Sequence, residues 1–289
     1  MFEAMTASSS EFLIRPMKKG ELNLALEWAA AEGWNPGIDD AESFYAADPQ
    51  GFLVGELDGE AIAVISAVKY GTDFGFLGFY IVKPEYRGQG YGWQIWQAAI
   101  SRLHGRNIGL DGVVDQQDNY RKSGFVLAHR NIRYQGDNRL SASLPEHHSL
   151  MPIDAVTFEA LMEYEQPFFA AARADFMQAW LSQPHSVAMV MLHGDDIVGF
   201  GAVRACQKGS KIGPLFADSK PVASALLAAL AYRCEGPLFL DVPACNHSAV
   251  ELAEELGMQR VFETARMYTQ YEPDISLQRT YGITSFELG

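Results

Sequence analysis

The sequence is poor in cysteine, poor in positive charge and without a long hydrophobic run. Its 289 residues hold three cysteines, Cys206, Cys234 and Cys245. An odd number confined to one half, with no Cys-x-x-Cys pair, makes neither a disulfide framework nor a zinc knuckle, so a reducing compartment is expected. Lys and Arg number 22 against 36 Asp and Glu, a formal net charge of -14. Such a surface repels a phosphate backbone, which argues against nucleic acid as a partner. It attracts cationic solutes, amines among them, besides aiding solubility. No apolar stretch approaches the roughly 18 residues that mark a membrane span. The opening MFEAMTASSS lacks the basic and apolar regions of a secretion signal. A cytoplasmic protein with no membrane partner is expected.

What remains is a globular composition, 48% hydrophobic and 20% charged, long enough for one large domain or two ordinary ones. Leu22, Leu26 and Ala29 fall at helical spacing within Glu21–Glu32, and Gly33 is a stop. Phe52–Leu57 and Ala61–Val68 read as strands around Asp58-Gly59, a dipeptide suited to a tight hairpin. Phe74–Val82 is a third strand, and Gly90–Leu103 carries Ile95, Trp96, Ala99 and Ile100 on one helical face. A strand at Leu110–Val114, a helix at Asn119–Ser123 and a strand at Phe125–Tyr134 follow. Together these predict a mixed α/β domain over residues 1–140.

Residues 139–148, RLSASLPEHH, have the composition of a linker, in which His147 and His148 read as solvated. The order of elements then restarts. Val187–Leu192 and Ile197–Val203 repeat the hairpin about Gly194, Ala223–Tyr232 the long helix, and Leu238–Val242 the next strand. Gly194 and Gly257 follow Gly59 and Gly124 at nearly the same offset, which predicts a second copy of the fold over residues 149–289. The strand-like Tyr281–Leu288 has no counterpart in the first copy. It is expected either to close its own sheet or to cross to the first domain and bridge the two.

The segment FYIVKPEYRGQGYGWQIW sets Gly88, Gly90 and Gly92 between an apolar strand and an amphipathic helix. Glycines there let backbone N–H groups approach an anion, the helix N-terminus adds partial positive charge, and Arg87 adds a full one. A dinucleotide fingerprint requires a sixth-position glycine where Trp93 stands, and a P-loop requires Gly-Lys-Ser/Thr, which is absent. Phosphate oxygens of another ligand class fit better.

Arg87-Gly88-Gln89-Gly90-Tyr91-Gly92 resembles the Arg/Gln-x-x-Gly-x-Gly/Ala signature of the GCN5-related N-acetyltransferases, and the element order of the whole first domain resembles theirs. The resemblance implies acyl-CoA, usually acetyl-CoA, as donor and co-substrate, with no metal. It implies that the backbone of Phe79, Ile81 and Val82 bonds the pantetheine arm and that Arg87, Gly88, Gln89, Gly90, Tyr91 and Gly92 hold the pyrophosphate. Tyr120-Arg121-Lys122-Ser123-Gly124-Phe125 is similar to the family's Tyr-x-x-x-Gly-Phe. In that family the tyrosine often protonates the leaving thiolate; a phenol at ~10 can donate to a thiolate whose acid lies near ~8.5.

Trp34, Asn35 and Asp39 are expected to line an acceptor pocket, and Glu32, Asp39 and Asp40 are candidate bases, with ordinary packing and solvation as the plain alternatives. The second copy reads PLFADSKPVASAL where the first has VKPEYRGQGYGWQ, and Ala253 where the first has Tyr120. It is therefore expected to keep the fold without the donor site and to help shape the acceptor pocket. The leading expectation is N-acetylation of a small-molecule amine, the alternative a non-catalytic acyl-CoA sensor or interaction module. Oligomeric state, a homodimer included, stays open.

Overall fold

The structure is a computed structural model that describes residues 11–137 and 149–289, so the linker expected at 139–148 lies outside the described residues. In the first half, β1 (Phe12–Pro16), β2 (Phe52–Leu57), β3 (Glu60–Tyr70) and β4 (Phe74–Val82) form an antiparallel series. β5 (Asn107–Val113) then runs parallel to β4. α1 (Leu22–Ala31) and α2 (Asp40–Ala47) cover one face, α3 (Tyr91–Arg102) and α4 (Gln117–Lys122) the other. The strands alternate accordingly: Val64 and Val68 of β3 enter the α1–α2 core, Ala63, Ile65 and Ala67 the α3 core.

That alternation changes phase inside β4. Phe74 and Phe76 face the α1–α2 core, and so do Phe79 and Ile81, an odd-numbered pair. One extra residue is accommodated between Gly78 and Ile81, where the register against β3 shifts and Phe79 takes a φ of 48. This is a β-bulge, which bends the strand and re-aims its side chains.

The second half repeats the plan. β8 (Ser186–His193), β9 (Asp196–Ala205) and β10 (Ser210–Ala217) are antiparallel, with the three-residue β7 (Leu150–Pro152) at the edge. α7 (Lys220–Ala231), β11 (Pro237–Pro243) and α8 (His247–Glu255) follow. The sharing of strands is what two self-contained domains across a linker would not give. β6 (Val126–Asp137) leaves the first half to pair with β11, and β12 (Gln259–Tyr268) inserts between β5 and β6. One sheet results, in the order β1-β2-β3-β4-β5-β12-β6-β11-β10-β9-β8-β7.

A core common to both halves fills one face, where Phe44 and Phe52 meet Trp180 and Phe176; Phe176 and Trp180 belong to α6 (Ala174–Leu181), which with α5 (Phe158–Glu165) covers the second half's side. Three buried arginine–carboxylate pairs also join the halves: Arg204 with Asp40 at 2.9 Å, Arg133 with Asp241 at 2.7 Å and Arg266 with Asp111 at 2.5 Å. Each pairing satisfies charges that would be costly to bury alone.

Each half has a slot where two parallel strands part. β4 and β5 pair only to Leu77 and Leu110, and β10 and β11 only to Ile212 and Leu240. The second slot is filled by the chain itself. β13 (Thr280–Gly282) pairs with β10, and the Ile283 N–H donates to the Asp241 carbonyl of β11 at 2.9 Å. Beyond it the chain crosses to the first half, where the Tyr70 hydroxyl donates to the Leu288 carbonyl at 3.1 Å, while Arg173 of the second half donates to the Gly289 carbonyl at 2.8 Å. Both fates expected for residues 281–288 are thus realised, in three residues of strand and an irregular buried segment.

Candidate active site

The glycine loop starts from a turn at Pro84–Tyr86 and ends at Gly90, the N-cap of α3. Gly88 and Gly90 have φ of 76 and 89, values that side-chain-bearing residues rarely adopt. Among the described residues, none of the backbone N–H groups of residues 88–93 donates a hydrogen bond. A row of unpaired amides at a helix N-terminus is suited to anionic oxygens. Arg87 hangs over the loop, its Nε donating to the Val82 carbonyl at 2.8 Å and its Nη2 to Glu32.

From the loop, a cavity of about 650 Å³ runs along β4 into the first slot. Gly88, Gly90, Gly92 and Arg87 line one end, and Phe79, Ile81 and Val82 line the middle. Beyond Leu77 the β4 backbone is not paired with β5, so one strand edge faces this space. Gln89 and Tyr91 turn elsewhere: the Gln89 amide donates to the Glu85 carbonyl at 2.8 Å, and the Tyr91 ring lies 4.9 Å from Phe12.

Tyr120 of α4 lines the cavity opposite β4 and stacks on Trp96, ring centroids 5.6 Å apart. A side chain at Gly112 would meet the Tyr120 ring at 2.2 Å, so β5 needs glycine there. Among the described residues the Tyr120 hydroxyl has no hydrogen-bond partner. Burial, and then the nearby Tyr80, raises its pKa, so it stays protonated throughout the physiological range.

Of the expected acceptor residues, Trp34 lines the cavity. Asn35 and Asp39 do not; they tie the halves together. Asn35 exchanges two bonds with the Lys208 backbone, at 2.9 and 2.8 Å, and Asp39 accepts from the His185 backbone at 3.1 Å. Asp40, a candidate base, is buried against Arg204 and outside the cavity. Glu32 lines the cavity but is engaged by Arg87.

The far end comes from the second half: Phe262 and Thr264 of β12, Phe286 and Glu287 of the crossing segment. Nothing local in the sequence marks these four, because strand exchange and the crossing bring them in from afar. Gly78 was the available signal, since a glycine inside an apolar strand often marks a close backbone approach. A Cβ there would lie 2.1 Å from the Glu287 carbonyl oxygen. No group of three or more potential metal ligands occurs among the described residues.

This architecture and sequence have relatives. Residues 22–125 match the acetyltransferase (GNAT) family and residues 161–282 an acetyltransferase (GNAT) domain. A holothin acyltransferase of Pseudoalteromonas is 30% identical over 277 residues, 95% of this chain and 94% of that one. An uncharacterized N-acetyltransferase of Bacillus subtilis is 23% identical, covering 81% and 83%. In fold, a protein of Pyrococcus horikoshii assigned as an acetyltransferase superposes with a TM-score of 0.82 at 20% identity, over 100% and 99% of the two chains. A tandem GNAT protein from the clavulanic acid biosynthesis pathway gives 0.62 at 13% identity, over 89% and 98%. The chain belongs to the GCN5-related N-acetyltransferase family, as a tandem member and an acyl-CoA-dependent acyltransferase.

Proposed function

We propose that the chain transfers an acetyl group from acetyl-CoA to the primary amine of a small molecule, the amine attacking the thioester directly in a ternary complex. The observation that carries this reading is one cavity continuous from the unpaired loop amides to the Tyr120 hydroxyl. Pyrophosphate oxygens would take the amides of residues 88–93, and Arg87 would exchange Glu32 for phosphate. The unpaired edge of β4 would hold the pantetheine arm and polarise the thioester carbonyl. Tyr120, protonated by virtue of its burial, would supply the proton that the departing thiolate takes up. The net charge of -14 favours a cationic acceptor.

Thiol release from acetyl-CoA across a panel of small amines tests the reading. Turnover is expected with one class of amine. Arg87→Ala should weaken acetyl-CoA binding, and Tyr120→Phe should lower kcat by about a hundredfold, the scale of a lost general acid. Tight acetyl-CoA binding without turnover on any amine would instead identify an acyl-CoA sensor, and absence of binding would remove the donor assignment.

A further inference from the structure

Three carboxylates line the cavity. Glu32 pairs with Arg87 of the glycine loop, which places it at the phosphate end. Asp111 accepts from Arg266 through both oxygens, at 2.9 and 2.5 Å, and from Asn131 at 2.8 Å. Glu287 is the third. It is 4% exposed, and among the described residues neither of its oxygens accepts a hydrogen bond; Oε2 is fully buried without a partner. The nearby cations hydrogen-bond other carboxylates, Arg133 gripping Asp241 through two nitrogens and Arg204 gripping Asp40, while their charges, with that of Lys211, favour an ionised Glu287. Lys211, buried behind them, likewise reaches no partner with its Nζ.

A buried carboxylate without hydrogen bonds is disfavoured relative to a solvated one. Groups carrying such a penalty inside a cleft concentrate at functional sites. Glu287 is also held firmly. Its carbonyl presses on Gly78 at the β4 bulge, the next residues are tied by Tyr70 and Arg173, and Phe286 before it lies under the Arg133 guanidinium at 4.7 Å. The backbone is therefore held at a fixed place beside the bulge, and Trp34, Phe262 and Phe286 line the same cavity.

We infer that Glu287 receives the acceptor amine, accepting its N–H and taking its proton as the nitrogen attacks the thioester. This inference rests on the amine-acetylation reading above. In the step, the ammonium first gives one proton to solvent; as the neutral amine attacks, the nitrogen–carbon bond forms and the carbon–sulfur bond breaks. The nitrogen's proton passes to the Glu287 carboxylate, the thiolate takes one from Tyr120, and return of the proton from Glu287 to the tyrosinate through solvent leaves amide and free thiol.

The test is acetylation of alkyl amines by Glu287→Gln, which keeps the shape and removes the charge. The expected result is a fall in kcat/KM of about a hundredfold or more, with acetyl-CoA affinity and thermal unfolding at their parental values. Weakly basic amines of the same shape, whose nitrogen loses its proton more readily, should suffer less than alkyl amines. Retained activity in Glu287→Gln, or an equal loss on both amine classes, overturns the inference while leaving the function intact. Loss of acetyl-CoA binding or of folding in Glu287→Gln overturns it too, by giving the residue a donor-site or structural role. A panel in which the unaltered protein acetylates no amine removes the function and this inference together.

Discussion

At the scale of single residues, the site depends on positions where a side chain is missing as much as on those where one acts. Gly112 leaves room for the Tyr120 ring, and Gly78 leaves room for the Glu287 backbone. The second is the sharper case, because its neighbour is main chain and has no rotamer to change. Gly78→Ala should force the crossing segment away from β4, costing ~1–3 kcal/mol as overpacking does. The thermal unfolding temperature and kcat/KM should both fall, because Gly78 lines the cavity beside the β4 edge. The loop itself was legible in sequence, since its requirements are local: glycines of positive φ, an arginine and a helix start within ten residues. Tyr120 was legible for the same reason. Glu287 was not, because its meaning comes from Gly78, Arg133 and Tyr70, all far away along the chain.

Among elements, the hairpins and the helices α1, α3, α4 and α7 were readable; α2, α5 and α6 were not placed, and neither were the strands' partners. Asp58-Gly59 set the β2–β3 turn where expected, with φ of 50 and 85, and the long helix after the glycine loop falls within a residue of its predicted limits. The destination of β6 had no such marker. Its alternation reports two buried faces without saying which strand lies alongside, and pairing at long sequence separation is specified by the assembled core. The exchange has a measurable consequence. A fragment of residues 1–140 lacks β12, leaving both β5 and β6 with unpaired edges, a template for aggregation. Expressed alone it should be insoluble or misassembled and should not bind acetyl-CoA. Co-expression with residues 149–289 should restore a soluble complex that binds; a well-folded, binding-competent fragment 1–140 would contradict the exchange.

For the whole molecule, two copies of one fold have taken different parts. The first keeps the glycine loop and an open slot; in the second, α7 starts from Ser219 without glycines and the slot is occupied by β13. Titration should therefore saturate at one acetyl-CoA per chain, and calorimetry giving two equivalents would contradict this division. The second copy also supplies the far end of the first copy's cavity through Phe262, Phe286 and Glu287. The insertion of β12 beside β5 has a further consequence for the order in which the molecule is made. On a ribosome adding ~5–20 residues per second, β5 waits on the order of ten seconds for the strand that will lie against it. The nascent first half cannot complete its sheet until β12 has been made, and a chaperone that shields its open edge would act in that interval.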